Sequence, residues 1–195
     1  MNDNAVIDSA VIETELRLMQ RAQSGDAAAF GELVTKHSVS ARRVATVVLG
    51  TAEGAGDAVQ EANVKTWQAM ERLEPQRGFR AWYLRIVANT ARNDRRSRTR
   101  RTALAVRAAA VRPIDVATPD VAAVTAAERK TVVAALNRLD EADRLVVALR
   151  FFEDLTQKEM ALVLDCPTGT VKSRLSRAMS RLRDALDADS GGTDG

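Results

Sequence analysis

The stretch LTQKEMALVLDCPTGTVKSRLSRAMSRLR, residues 155–183, determines how the C-terminal third of the chain folds. Thr156 and Glu159 have the spacing of a capping box, which predicts a helix from about residue 157 to residue 164. A short turn, residues 165–167, separates this helix from a second one. Two helices joined by so short a turn form a helix-turn-helix.

The second helix of this motif has two chemically different faces when it is placed on a wheel at about 100° per residue. Its apolar stripe consists of Val171, Leu175, Ala178, Met179 and Leu182. Its polar side consists of Ser173, Ser176, Arg177 and Ser180, flanked by Lys172 and Arg174. A surface of arginines and hydroxyls can enter a major groove of DNA, where arginine reads guanine edges. An ordinary solvated surface is the alternative, although exposed surfaces usually mix both signs of charge.

The composition of the 195 residues predicts an all-helical protein. The chain has 29 Lys and Arg against 26 Asp and Glu, so its net charge of +3 matters less than the clustering of the basic residues. Hydrophobic residues make up 46% and aromatic residues 4%, with few glycines and prolines and no alternating hairpin pattern. The single cysteine, Cys166, excludes an internal disulfide framework and is expected to pack as a small hydrophobe.

The chain shows no sign of membrane insertion or of catalysis. The acidic start does not resemble a secretory signal, and no apolar stretch approaches the ~20 residues that span a bilayer, which indicates a cytoplasmic protein. The lone histidine, His37, is expected to have a surface or capping role. With no Cys/His cluster, glycine-rich phosphate loop or Ser-His-Asp set, we expect no metal, no cofactor and no enzymatic activity.

Helical periodicity divides the chain into two small helical domains joined by a flexible linker, the second domain containing the helix-turn-helix. Two prolines, Pro113 and Pro119, interrupt an alanine-rich stretch between the domains. The expected boundaries are an N-terminal tail at 1–15, a first domain at 16–101, a linker at 102–125, a second domain at 126–187 and a disordered tail at 188–195.

The segment GDAVQEANVKTWQAM, residues 56–70, predicts a helix with an acidic stripe. Asp57, Glu61, Lys65 and Gln68 share one side, and Glu61 and Lys65 form an i,i+4 pair. Acids make this side a poor DNA surface. A protein partner with basic residues would fit it, and a merely solvated stripe is the alternative.

The segment FRAWYLRIVANTARNDRRSRTRR, residues 79–101, combines aromatic rings with arginines. Six arginines and a single acid lie between residues 92 and 101, and Asn89 and Asn93 lie one turn apart. Bases of single-stranded nucleic acid stack on aromatic rings beside such a basic track. Phe79 and Tyr83 are expected in the core, and a basic helix end that only aids solubility is the alternative for the arginines.

In this order, the segments resemble the extracytoplasmic-function group of bacterial RNA polymerase sigma factors, from about residue 16 to residue 186. SGDAAAFGELVTKH, residues 24–37, is similar to the first conserved helix pair of that family, and residues 57–67 to its polymerase-binding helix. Residues 79–101 resemble the helix that melts the promoter and reads the minus-ten element. Residues 155–183 resemble the helix-turn-helix that reads the minus-thirty-five element.

The resemblance implies a promoter-specific initiation subunit with core RNA polymerase and promoter DNA as partners, and commonly an anti-sigma factor. The clamp of the largest polymerase subunit would contact Asp57, Gln60, Glu61, Lys65 and Trp67. The minus-ten DNA would contact Trp82, Asn89, Arg92, Asn93, Arg95 and Arg96. The minus-thirty-five DNA would contact Thr170, Lys172, Ser173, Arg174, Arg177 and Arg181. Residues 71–79 would hold a flipped base, and the linker would pass through the RNA-exit region.

Two other classes of protein fit parts of the sequence. A DNA-binding regulator could use the helix-turn-helix without polymerase, and a helical interaction module could carry basic faces that are only solvated. The acidic helix and the aromatic-arginine helix favour the sigma factor, since a simple regulator needs neither. One position departs from the family pattern: Asn63 stands after QEA, where a large apolar residue is usual.

Overall fold

The computed structural model describes residues 3–74, 78–105 and 126–190, and in these residues all the regular secondary structure is helical. This confirms the predicted all-α class. The helices are α1 (Asp3–Gln23), α2 (Ala27–Lys36), α3 (Ser38–Leu49), α4 (Ala55–Gln68), α5 (Phe79–Ala105), α6 (Ala126–Arg138), α7 (Glu141–Phe151), α8 (Gln157–Leu164) and α9 (Thr168–Ser190), with a 3₁₀ turn at Met70–Arg72.

The N-terminal unit, α1–α5, is built around the long helix α5, which packs against α3 and α4, while α1 packs against α2. Asp26 caps α2 by accepting hydrogen bonds from the backbone amides of Ala28 and Ala29. Gly50 ends α3 with a left-handed φ of 79°, which glycine adopts without steric cost. The core residues with the largest fully buried side chains in this unit include Met19, Leu33, Val44, Val47, Phe79, Tyr83 and Leu84.

In the C-terminal unit, α6–α9, helices α7, α8 and α9 begin, and α8 ends, at the residues that the sequence indicates. Asp140 caps α7 by accepting from the amide of Asp143. Thr156 and Glu159 form both hydrogen bonds of the predicted capping box at the start of α8. Asp165 ends α8 in the left-handed conformation, and α9 starts three residues later. The predicted helix-turn-helix is therefore present as α8 and α9.

Three helix ends differ from the expected boundaries. Helix α1 begins at Asp3, inside the segment expected to be a tail, and α9 continues to Ser190, beyond the expected end of the second domain. Helix α5 continues to Ala105, because alanines after the arginine run favour helix. Most of the expected linker, residues 106–125, lies outside the described residues, as do residues 75–77 of the expected base-holding loop and residues 191–195 of the tail.

Candidate nucleic-acid and polymerase interfaces

Helix α9 presents a basic surface because its apolar stripe is used for packing. Val171, Ala178 and Leu182 are buried, and Leu175 and Met179 are partly buried against the core. Helix α9 packs on α6, α7 and α8, so this stripe holds it in place. The opposite side is open to solvent: Lys172, Ser173, Ser176, Arg177 and Ser180 are exposed, with Arg174 and Thr170 half-buried at its edges.

Two local hydrogen bonds order this open side. The Ser173 hydroxyl donates to the carbonyl of Thr170 over 3.1 Å, and Nε of Arg177 donates to the carbonyl of Ser173 over 3.3 Å. Both acceptors are backbone groups, so the positive charge of Arg177 is not neutralised by these contacts. The face can therefore offer cations and hydroxyls to phosphates and base edges together.

Arg181 differs from the other basic residues proposed for the minus-thirty-five element. Its Nη1 forms a short ion pair with Oδ2 of Asp143, and it also lies near Asp140 at the start of α7. Asp143 is buried, so this pair ties α9 to α7. The structure thus separates Arg181 from the open basic face formed by Thr170, Lys172, Ser173, Arg174 and Arg177.

Helix α5 has an exposed stripe on its outer side. Asn89, Asn93, Arg96 and Arg100 recur at intervals of three or four residues and are all exposed. Nη1 of Arg92 donates to Oδ1 of Asn89 over 3.1 Å, which fixes the orientation of that amide. The amide nitrogen of Asn89 therefore remains available as a donor on the outer surface.

The remaining arginines of the minus-ten set are engaged elsewhere. Nε of Arg92 donates to Oε1 of Glu141 over 2.9 Å, and Nη2 of Arg95 forms a short ion pair with Oε2 of the same carboxylate. Glu141 is the first residue of α7, in the C-terminal unit. The six residues proposed for the minus-ten element therefore divide between an open stripe with Asn89, Asn93 and Arg96, a pair bound to Glu141, and a half-buried Trp82.

The aromatic residues of α5 lie mostly inside. Phe79 and Tyr83 are fully buried, as predicted, with ring centroids 5.4 Å apart. Trp82 is half-buried, and its ring centroid lies 6.2 Å from that of Phe79. Only Trp82 of these three rings therefore has exposed area that a base could reach.

Helix α4 carries the predicted mixed stripe on its outer side. Asp57, Gln60, Glu61 and Trp67 are exposed, and Nζ of Lys65 lies 2.6 Å from Oε1 of Glu61 in the predicted i,i+4 pair. The opposite side, with Val59, Ala62 and Thr66, is buried. All five residues proposed for polymerase binding thus lie on one accessible side of a single helix.

Known proteins are similar to this chain in sequence. Residues 33–101 match the model of Sigma-70 region 2, and residues 135–184 match that of Sigma-70 region 4. The RNA polymerase sigma-H factor of Pseudomonas aeruginosa is 31% identical, over 89% of this chain and 94% of the relative. The ECF RNA polymerase sigma-E factor of Escherichia coli K12 is 30% identical, over 89% of this chain and 93% of the relative.

The chain belongs to the extracytoplasmic-function family of RNA polymerase sigma factors. It is thus a subunit that directs core RNA polymerase to specific promoters, and the regulator acting without polymerase is not favoured.

Solved structures of sigma factors have the same fold. CnrH in complex with the cytosolic domain of CnrY gives a TM-score of 0.66 at 31% identity, covering 90% of this chain and 99% of that one. The sigma factor RpoE in complex with the anti-sigma factor NepR from Bartonella quintana gives a TM-score of 0.61 at 25% identity, covering 82% of this chain and 98% of that one.

The departure of this sigma factor at Asn63 has a structural explanation. The Tyr83 hydroxyl donates a 2.6 Å hydrogen bond to Oδ1 of Asn63, which links α5 to α4 inside the N-terminal unit. Burial raises the pKa of Tyr83 to about 12. A large apolar residue at position 63 would leave this buried hydroxyl without the acceptor that it has here.

Two features of the sigma factor were not recognised in the sequence. Val64 is 57% exposed on the outer side of α4, one turn from Gln60 and Gln68. The helical wheel could have placed it there. The sequence pattern did not indicate that Glu141 binds Arg92 and Arg95, because the interaction joins residues nearly 50 positions apart.

The expectation of a surface or capping role for His37 is confirmed in part: the residue occupies the cap position between α2 and α3, but it is not on the surface. Its side chain is only 7% exposed and makes no capping hydrogen bond, although its backbone occupies the junction of α2 and α3. The imidazole stacks on Phe79 at 5.7 Å, and its Nε2 lies 3.5 Å from Oε2 of Glu15. The nearby His37 imidazole and the Lys36 ammonium, which donates to Oε2, lower the pKa of Glu15 to about 2 against the opposing effect of burial.

Within 3–74, 78–105 and 126–190, no group of three or more His, Cys, Asp or Glu side chains could hold a metal ion. In the same part of the chain, every helix is too short or too polar to cross a bilayer. Cys166 is half-buried against the core in the turn before α9.

Proposed function

We propose that this sigma factor reads its promoters through two separate helices. Thr170, Lys172, Ser173, Arg174 and Arg177 of α9 would contact the minus-thirty-five element, and Arg181 would position α9 on α7. The observation that carries this assignment is the open face of α9, which collects cations and hydroxyls opposite a buried apolar stripe. Such a face matches the phosphate and base-edge chemistry of a major groove.

The minus-ten element would be bound by α5. Its exposed Asn89, Asn93 and Arg96 supply amide groups and a cation along one stripe, next to the partly accessible ring of Trp82. Unpaired bases can stack on that ring and be read by the amides. Arg92 and Arg95 would add phosphate contacts once they are released from Glu141.

Core polymerase would be bound by the outer side of α4. Asp57, Gln60 and Glu61 supply polar and acidic groups, with Lys65 and Trp67 on the following turn. The exposed valine at position 64 adds apolar area at the centre of this side, as docking surfaces between proteins often have. The clamp of the largest polymerase subunit is the proposed partner.

The remaining assignments follow from membership in the family. We infer a first domain at 16–101 and a second at 126–187, a cytoplasmic location beside the polymerase, and no enzymatic activity. An anti-sigma factor is a further proposed partner, because the solved relatives CnrH and RpoE are bound to CnrY and to the anti-sigma factor NepR.

Transcription in a purified system tests the function. The chain plus core RNA polymerase should start transcripts from promoters of its native genome, mapped by sequencing of transcript 5′ ends. Charge reversal of the exposed Glu61 on α4 should weaken capture of core polymerase, whereas the same change at Glu32, an exposed residue of α2, should not. Tight operator binding by the chain with no association with core polymerase would refute the function.

A further inference from the structure

The contact between the two units contains two arginine-carboxylate clusters. Helix α3 packs against α7, and α5 packs against α8. At this contact, Glu141 and Glu153 of the C-terminal unit each meet two arginines of the N-terminal unit. Arg85 and Asp165 add a 2.9 Å pair at the more exposed edge.

Glu153 is the more deeply buried carboxylate. It is 2% exposed, and its Oε1 lies 2.5 Å from Nη1 of Arg43 while its Oε2 lies 2.7 Å from Nη2 of Arg80. Nη1 of Arg43 also donates to the carbonyl of Phe152 over 3.2 Å. A buried carboxylate needs such partners, and both of these come from the opposite unit.

Glu141 has the same arrangement at the other cluster. Its two oxygens are bound by Arg92 and Arg95, and only 15% of its side chain is exposed. The neighbouring Arg144, itself buried, donates through Nε to the carbonyl of Val47 in α3 over 3.3 Å. The contact therefore combines ion pairs with buried polar groups. These groups have their partners in the other unit only while the two units are packed together.

We propose that these two clusters, Glu141 with Arg92 and Arg95 and Glu153 with Arg43 and Arg80, form a carboxylate latch that holds the free sigma factor closed and masks two of its DNA-binding arginines. The carboxylate of Glu141 takes the place that a promoter phosphate would take on Arg92 and Arg95. Both ligands are oxyanions that accept charge-assisted hydrogen bonds from guanidinium groups, so they compete for the same donors.

The latch gives the free chain a low affinity for nucleic acid until the two units separate. Only the open fraction offers Arg92 and Arg95 to DNA, and the apparent dissociation constant is the intrinsic one divided by that fraction. Binding of polymerase would shift the equilibrium if it favours the separated units. The masking by Glu141 rests on the proposed minus-ten function of α5, whereas the closure itself does not.

The full-length double variant E141Q/E153Q tests the latch without polymerase. Loss of both charges removes the carboxylates of Glu141 and Glu153 from these ion pairs, so the closed form should lose on the order of a hundred-fold or more in population relative to the open form. Small-angle X-ray scattering at low salt should then show a larger radius of gyration than that of the wild-type chain. Circular dichroism should show unchanged helix content.

The same variant should bind DNA more tightly. The affinity for a fluorescent, mixed-sequence single-stranded oligodeoxynucleotide should rise about ten-fold, because phosphate contacts do not depend on sequence. The matched control is E32Q/D187N, which removes two exposed carboxylates, one from each unit, away from the contact. It should reproduce the wild-type radius and have a smaller effect on affinity.

Equal radii for the three chains, or equal expansion of the control, would overturn the latch. Expansion of E141Q/E153Q with no gain in affinity over the control would overturn the masking. Neither result depends on transcription, so failure of the proposed function in the polymerase assay would be recognised separately.

Discussion

Helices α9 and α5 both carry arginines proposed to bind promoter DNA, but the structure uses those arginines differently. On α9, Nε of Arg177 donates to a carbonyl of its own helix, and the side chain is exposed. On α5, Arg92 and Arg95 share the carboxylate of Glu141 from the other unit. The proposed DNA-binding arginine of α9 is thus accessible, whereas Arg92 and Arg95 of α5 would have to leave Glu141 before they could bind DNA.

The buried sides of the two helices differ as well. The inner stripe of α9 is apolar, with Val171 and Ala178 fully buried. The inner side of α5 contains a buried tyrosine, and its hydroxyl depends on Asn63 of α4. Helix α9 is thus held mainly by apolar contacts, and α5 by apolar contacts together with specific polar ones.

The largest effect is expected on the open face of α9. In the polymerase complex, the double charge reversal R174E/R177E should weaken promoter binding by on the order of a hundred-fold, because two cations near phosphates become anions. The slope of log affinity against log salt should become shallower by about 0.9 for each phosphate that the variant no longer neutralises. Filter binding at several salt concentrations measures both quantities.

The single reversal R183E is the control for that experiment. Arg183 is an exposed arginine of the same helix, nearly two turns beyond Arg177 at the end of the proposed face. It should change affinity much less than R177E alone. Equal losses from R177E and R183E would mean that α9 contributes only general positive charge and would remove Arg177 from the proposed site.

A smaller effect is expected from α5. N89A removes an exposed amide that Arg92 holds in one orientation, so discrimination among bases in the minus-ten element should fall by about ten-fold, the range of a good amide-base contact. Competition among randomised promoters in the polymerase complex measures it. Capture of core polymerase should be unchanged, and T99A, an exposed position farther along α5, is the control. Unaltered promoter selectivity in N89A would remove Asn89 from the site.

The contrast between the helices also explains what could be predicted from the sequence. The caps at Asp140 and Thr156 and the stripe of α9 depend on neighbours within one or two turns, and spacing along the chain records such neighbours. The pairing of Arg43 with Glu153 joins residues 110 positions apart. Nothing in local spacing specifies it, because it exists only after the two units pack together.

The burial of His37 was not predicted for the same reason. Its neighbours in the sequence are polar or small, and they give it the appearance of a surface residue. Its actual surroundings, the ring of Phe79 and the carboxylate of Glu15, come from α5 and α1. Local pattern therefore predicted the buried stripe and the open basic side of α9, whereas the surroundings of His37 and the arginine-carboxylate pairs depend on contacts between distant helices.

The smallest effect is expected at the polar contact between α4 and α5. N63L should destabilise the chain by about 1 kcal/mol, since the buried Tyr83 hydroxyl loses its acceptor while leucine gains some apolar burial. The double variant N63L/Y83F should recover that loss, because no hydroxyl then remains to be satisfied. Urea unfolding of the wild-type chain and of the variants N63L, Y83F and N63L/Y83F gives the coupling free energy between the two residues in a double-mutant cycle.

Binding of core polymerase is the control for this cycle. It should be the same in all four chains, since Asn63 is half-buried and faces Tyr83 of α5, not the exposed stripe with Asp57 and Glu61. If Y83F destabilised the wild-type chain and the N63L variant equally, the hydrogen bond between Tyr83 and Asn63 would contribute nothing to stability. Helix α5 would then be held on α4 by apolar packing.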